Sequence, residues 1–131
     1  MRAMIFIAKC SNSGLRASVD DIVDETNTPK PFISKILQVL VKEGLLESTK
    51  GPNGGFVIKK KKTTLAQIIQ ALEGREFFTG CALGLSRCSS KNPCPVHDQF
   101  MHIRDLLTKT LIESSLSGIV EKLENGKYKI K

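Results

Sequence analysis

Pro31-Phe32-Ile33-Ser34-Lys35-Ile36-Leu37-Gln38-Val39-Leu40-Val41-Lys42-Glu43-Gly44 is followed, five residues later, by Lys50-Gly51-Pro52-Asn53-Gly54-Gly55-Phe56. In the first stretch Ile33, Ile36, Leu37, Leu40 and Val41 recur at the i, i+3, i+4, i+7, i+8 spacing of a one-sided amphipathic helix. Proline is tolerated in a first helical turn, and Gly44 supplies a stop. The second stretch is a turn signal between two apolar runs, Leu45-Leu46 and Phe56-Val57-Ile58, which predicts a β-hairpin. Upstream, Met4–Ala8 reads as the end of a buried helix closed by Asn12-Ser13-Gly14. Ser18, with Asp21 three residues on, marks the start of a short helix carrying Val19, Ile22 and Val23 and stopping near Asn27. Helix, turn, helix and a glycine-rich hairpin follow the order of a winged helix-turn-helix. The expected fold is therefore mainly α with a small β-hairpin wing.

Beyond the hairpin, Thr64 and Gln67 form a second capping-box pattern ahead of a helix bearing Leu65, Ile68, Ile69 and Leu72, closed by Gly74. No periodicity survives from Arg75 to Pro93, a length unusual for a compact domain unless the loop has a function. A long helix is expected from about Pro95. Val96, Phe100, Ile103, Leu107 and Leu111 follow one stripe, with Met101, Leu106, Ile112 and Leu116 beside it. Past Gly118 a short tail remains, with Tyr128-Lys129-Ile130 as a strand or unstructured. The division expected is residues 1–74 as a DNA-binding head, 75–95 as a cysteine-containing loop, and 96–131 as a dimerisation helix with its tail.

The chain has 131 residues and a formal net charge of +7, which favours a polyanionic partner. Residues 1–62 carry 11 Lys+Arg against 6 Asp+Glu, whereas residues 63–131 carry 9 against 7. The basic excess thus falls on the segment that reads as the winged head. No apolar run approaches the ~20 residues that span a bilayer, so no membrane partner is expected and the cytoplasm is the default. Neither a Ser-His-Asp nor a paired-carboxylate constellation stands out, and an enzyme is not expected.

If the Ile/Leu stripe of the central helix is buried, Ser34, Lys35 and Gln38 face outward and can reach phosphates and base edges in a major groove of double-stranded DNA. Lys30 and Pro31 begin that helix, where the helix dipole also favours a phosphate. At the hairpin tip Gly51 and Gly54 carry no bulk, so the backbone can approach a second stretch of DNA. Lys50 and Asn53 would add polar contacts there, with Lys59 nearby. The same pattern also fits a winged helix that binds protein.

Cys81, Cys88, Cys94 and His97 form C-x6-C-x5-C-x2-H. Cys94, between Pro93 and Pro95, is expected at the N-cap of the long helix, where a thiolate is favoured. His97 then falls one turn on, so that one centre could take both. Three thiols and an imidazole suit tetrahedral zinc or an iron–sulfur cluster, of two or four irons. Three reduced thiols without metal is the plain alternative, and a zinc-stabilised protein-interaction module is another. Cys10 reads as a packed core residue.

Taken together, Pro31–Leu37, Lys50–Phe56 and the Cys81, Cys88, Cys94-Pro95 loop resemble the Rrf-two family of bacterial winged-helix transcription regulators. The likeness covers nearly the whole chain and extends to iron–sulfur-regulated (IscR-like) and nitric-oxide-sensing (NsrR-like) members. It implies a homodimer, held through the long helix by residues such as Phe100, Ile103, Leu107 and Leu111, on an imperfect palindrome. It also implies a cluster bound by Cys81, Cys88 and Cys94, with His97 at the fourth-ligand position of IscR-like members. Some members of the family work without a cluster. Members usually carry about a turn of additional sequence before the Arg2-Ala3-Met4 region, and in some that turn supplies a carboxylate ligand from the other subunit. The fourth ligand is thereby left open. Lys50 stands where the wing commonly has arginine, and lysine is the poorer fork for minor-groove insertion. The function expected is DNA-binding regulation, as a repressor, responsive to a cluster, to thiol redox state or to nitric oxide.

Overall fold

The computed structural model describes residues 1–130. Its elements are α1 (Arg2–Asn12), α2 (Val19–Thr26), α3 (Lys30–Lys42), β1 (Leu46–Thr49), β2 (Gly55–Ile58), α4 (Leu65–Glu73), α5 (Glu76–Thr79), α6 (His97–Glu113) and α7 (Leu116–Glu124). The fold is the expected one, mainly helical with one antiparallel hairpin in which Leu46 pairs with Ile58 and Thr49 with Gly55.

Both predicted capping boxes form. The Ser18 hydroxyl accepts from the Asp21 amide at 3.1 Å while Asp21 accepts from the Ser18 amide at 2.9 Å. Thr64 and Gln67 repeat the exchange. Asn27 ends α2 in the left-handed conformation, which asparagine adopts more readily than most residues. Hydrogen bonds from the Ser18 hydroxyl and amide hold the Asp21 carboxyl below its ordinary value. A depressed folded value means stability that is present above the unfolded pKa and lost as pH falls through the folded one. Asp21→Asn should therefore lower Tm at pH 7 and by less at pH 3. Ser18→Ala should cost roughly 1 kcal/mol in denaturant unfolding at neutral pH.

The core gathers Met4, Ile7 and Ala8 from α1, Ile22 from α2, Ile33, Leu37 and Leu40 from α3, and Ile68 from α4. Leu116 and Val120 of α7 complete it. The tail expected past Gly118 is thus corrected: Gly118 lies inside a helix that packs on α1. The long apolar stripe does not run on to Leu116, because Ser114 ends α6 in an extended conformation and the Ser115 hydroxyl caps α7 by accepting from the Gly118 amide at 3.1 Å. Tyr128-Lys129-Ile130 forms no strand.

Two backbone junctions invisible in the local pattern lock the head together. Ala17 exchanges hydrogen bonds with Phe56, at 3.1 and 2.8 Å, so the α1–α2 turn acts as a third rung beside the wing. Thr64 bridges to Ser115, flanked by Leu65 amide to Ser114 carbonyl at 2.9 Å and Leu116 amide to Thr63 carbonyl at 2.8 Å. The second junction pins the end of α6 to the head.

Candidate nucleic-acid interface and cysteine loop

Burial of Ile33, Leu37 and Leu40 turns the opposite side of α3 to solvent. Lys35 and Gln38 are exposed there, and Ser34 is half-buried. Lys30 is also exposed, but its ammonium pairs with the Asp20 carboxylate at 2.6 Å. An exposed pair of this kind is weak enough to exchange for a phosphate. Pro31 sits in the first turn, as expected. Two further exposed side chains on this helix, Phe32 and Val39, fall off the buried stripe on a helical wheel, so the apolar periodicity gives them no role.

At the wing tip Lys50, Gly51 and Asn53 are exposed, and the Gly54 amide closes the turn on the Gly51 carbonyl at 2.9 Å. Gly54 has no room for a side chain, since a Cβ there would lie 2.1 Å from the Thr49 carbonyl oxygen. Gly55 adopts φ +141° against the Ala17 carbonyl. The hairpin register separates Lys59 from this tip. It follows the Leu46–Ile58 pair at the base and bonds to the Leu45 carbonyl, about 17 Å along the strands from Lys50. The expectation that Lys59 neighbours Lys50 is corrected accordingly.

The cysteine loop is held at both ends. At its start Arg104 of α6 donates to the Thr79 and Gly80 carbonyls at 3.0 Å each, directly ahead of Cys81. A short helix, α5, occupies the segment read as wholly irregular. At the far end His97 is buried, with 7% of its surface exposed, and its Nδ1 lies 3.4 Å from Cys88 Sγ. The partner of His97 is therefore Cys88, nine residues back, and not Cys94 as the spacing suggested. Cys94 is not the N-cap either. Val96 occupies that position, and the Cys94 carbonyl instead accepts from the His97 amide at 2.9 Å. Cys81, Cys88 and Cys94 are all half-buried free thiols. Cys81 and Cys88 share the wall of one shallow cavity with Glu76, Leu85 and Arg87. Among the described residues no three His, Cys, Asp or Glu side chains stand close enough to hold a metal ion. The donor chemistry suits a soft metal or cluster, while the geometry assembles one contact of the set, Cys88 with His97. Cys10, half-buried against the core, has its thiol pKa raised by burial and then by the Asp21 carboxylate.

On α6, Ile103 is 60% exposed and Leu106 and Leu107 are also open to solvent, whereas Phe100 and Leu111 are half-buried. No helix is long and apolar enough to cross a membrane among the described residues.

A helical head with a two-stranded wing and a solvent-facing α3 defines a winged helix-turn-helix protein. Residues 1–122 match the Rrf2 family, described as iron-dependent transcriptional regulators. A helix-turn-helix transcriptional regulator of Aquifex aeolicus is 34% identical across 79% of this chain and 77% of its own length. The regulator IscR of Escherichia coli is 27% identical across 93% of this chain and 75% of its own. Among solved structures, IscR of T. potens superposes with a TM-score of 0.76 at 18% identity, covering 99% of this chain and 86% of that one. CymR of B. subtilis, a global cysteine regulator, superposes with 0.73 at 22% identity, covering 90% and 87%. The chain belongs to the Rrf2 family of transcription regulators.

Proposed function

We propose that this regulator acts in the cytoplasm as a homodimeric repressor on an imperfect palindrome, and that the state of its cysteine loop sets its DNA affinity. The exposed Ile103, Leu106 and Leu107 face of α6 supports the dimer, since contiguous apolar surface marks association sites. The observation that carries the sensing is the contact between the half-buried Cys88 and the buried His97 at the first turn of α6. Chemistry at the loop thereby acts on one end of α6, while the other end is fixed to the head by the Thr64–Ser115 bridge. Cys81, Cys88 and Cys94, with His97 as fourth ligand, would hold an iron–sulfur cluster, which when bound supplies one-electron and nitric-oxide chemistry. Oxidation of the same thiols would act on the same contact without metal. A change there biases where α6 carries its head, and so how far apart two α3 helices sit. Switching between two such arrangements needs only a few kcal/mol of differential stabilisation.

The test is a visible spectrum of protein purified without oxygen, with iron, sulfide and zinc counted, followed by footprinting before and after oxidation. A brown protein with matched iron and sulfide supports the cluster, and band positions separate two-iron from four-iron forms. Stoichiometric zinc without salt-dependent DNA binding would instead indicate a protein-interaction module. For the switch itself, wild-type affinity is expected to change about tenfold or more on oxidation, or ~1.4 kcal/mol. Cys88→Ala should bind DNA in one state only, with the response gone. Equal protection by reduced and oxidised wild type would sink the switch.

A further inference from the structure

We infer that Phe32 reads a thymine methyl group in the major groove and so helps determine which sequences the protein binds. The inference rests on α3 being the recognition helix. With 100° between successive residues, Pro31, Lys35, Gln38 and Lys42 cluster at the centre of the outward face. Phe32 and Val39 lie together along one edge of it, two turns apart. Phe32 is 59% exposed and Val39 38%. Single exposed apolar residues are ordinary on protein surfaces, so exposure alone decides nothing. Position does. Phe32 is the third residue of α3, at the N-terminal end of the helix, which in helix-turn-helix proteins contacts base edges. Its neighbour in that turn, Lys30, pairs with Asp20, and Phe32 is the exposed apolar side chain there. A ring without donors or acceptors cannot recognise the hydrogen-bonding edges of guanine, cytosine or adenine. The one apolar feature on the major-groove floor is the 5-methyl of thymine. Val39 extends the same strip away from the helix N-terminus, where it would lie against sugar edges.

Binding sites are selected from a random duplex pool with the full chain, and each thymine of a half-site is then replaced singly by deoxyuridine, which removes only the methyl. One position per half-site should weaken about fourfold, the effect of taking one methyl out of an apolar contact. Phe32→Ala should lose the preference for thymine over deoxyuridine at that position and keep its dependence on salt, because no phosphate contact has been removed. Phe32→Leu should retain part of the preference. Truncating so exposed a side chain leaves the core intact, so these variants report on binding. Wild type indifferent to every deoxyuridine, or Phe32→Ala with the wild-type preference, overturns the inference while leaving DNA binding in place. A pool from which nothing is selected overturns the DNA-binding reading as well.

Discussion

Leu116→Ala is expected to destabilise the protein by about 2–5 kcal/mol and to lower Tm by on the order of 10 °C. Leu116 is 1% exposed and sits at the first turn of α7, in the buried cluster that also holds Val120 of α7 and Ile7 of α1. Its amide also donates to the carbonyl of Thr63, a residue with no exposed surface. Truncation therefore opens a cavity beside the bridge that joins the long helix to the head, where neighbours tied by backbone hydrogen bonds relax little. Leu15→Ala, at 62% exposure, should by comparison stay within about 0.5 kcal/mol. Urea unfolding of both variants decides the matter. A Leu116→Ala protein as stable as the Leu15 variant would mean that α7 is not part of the folded head.

That prediction turns on an element only partly legible in the sequence. Elements whose cause is local could be read directly: Ser18 with Asp21, Thr64 with Gln67, the Ile33–Leu37–Leu40 stripe, and the glycines of the wing. Each is set by groups within four or five residues of one another. α7 was obscured because Leu111, Ile112 and Leu116 continue the apolar stripe of α6, and the break between them is a single serine cap without the acidic partner of a capping box. The Ala17–Phe56 and Thr64–Ser115 bridges depend on how helices pack, and no periodicity foretells them. At the cysteine loop the residue types pointed to soft-metal or thiol chemistry, but which pairs meet depends on the path of a long loop. That path is set by Arg104 gripping the Thr79 and Gly80 carbonyls and by His97 turning to Cys88. Spacing alone favoured Cys94.

Gly54→Ala should cut DNA affinity by roughly tenfold or more while leaving the helices folded. A Cβ at residue 54 would lie 2.1 Å from the Thr49 carbonyl oxygen, 2.8 Å from the Lys50 carbonyl carbon and 2.9 Å from the Gly51 carbonyl oxygen. All three are backbone atoms of the same turn, so no rotamer change relieves the clash and the tip must open. Overpacking of this kind costs about 1–3 kcal/mol, yet strand β2 stays anchored by the Ala17–Phe56 exchange and, at the base, by the Ile58 amide donating to the Ser11 hydroxyl at 3.0 Å. The head survives, and the tip no longer presents Lys50 and Asn53 as a unit. Lys50→Ala separates shape from charge, since it keeps the turn and removes one cation. Its affinity should fall less at moderate salt, and the slope of log affinity against log salt should shrink by about one. In Gly54→Ala the cation remains but is misplaced, so a slope reduced as in Lys50→Ala, together with the larger loss, places the wing against phosphate. If Gly54→Ala binds DNA as wild type does while circular dichroism shows an intact head, the wing takes no part in binding, and α3 alone must supply the affinity.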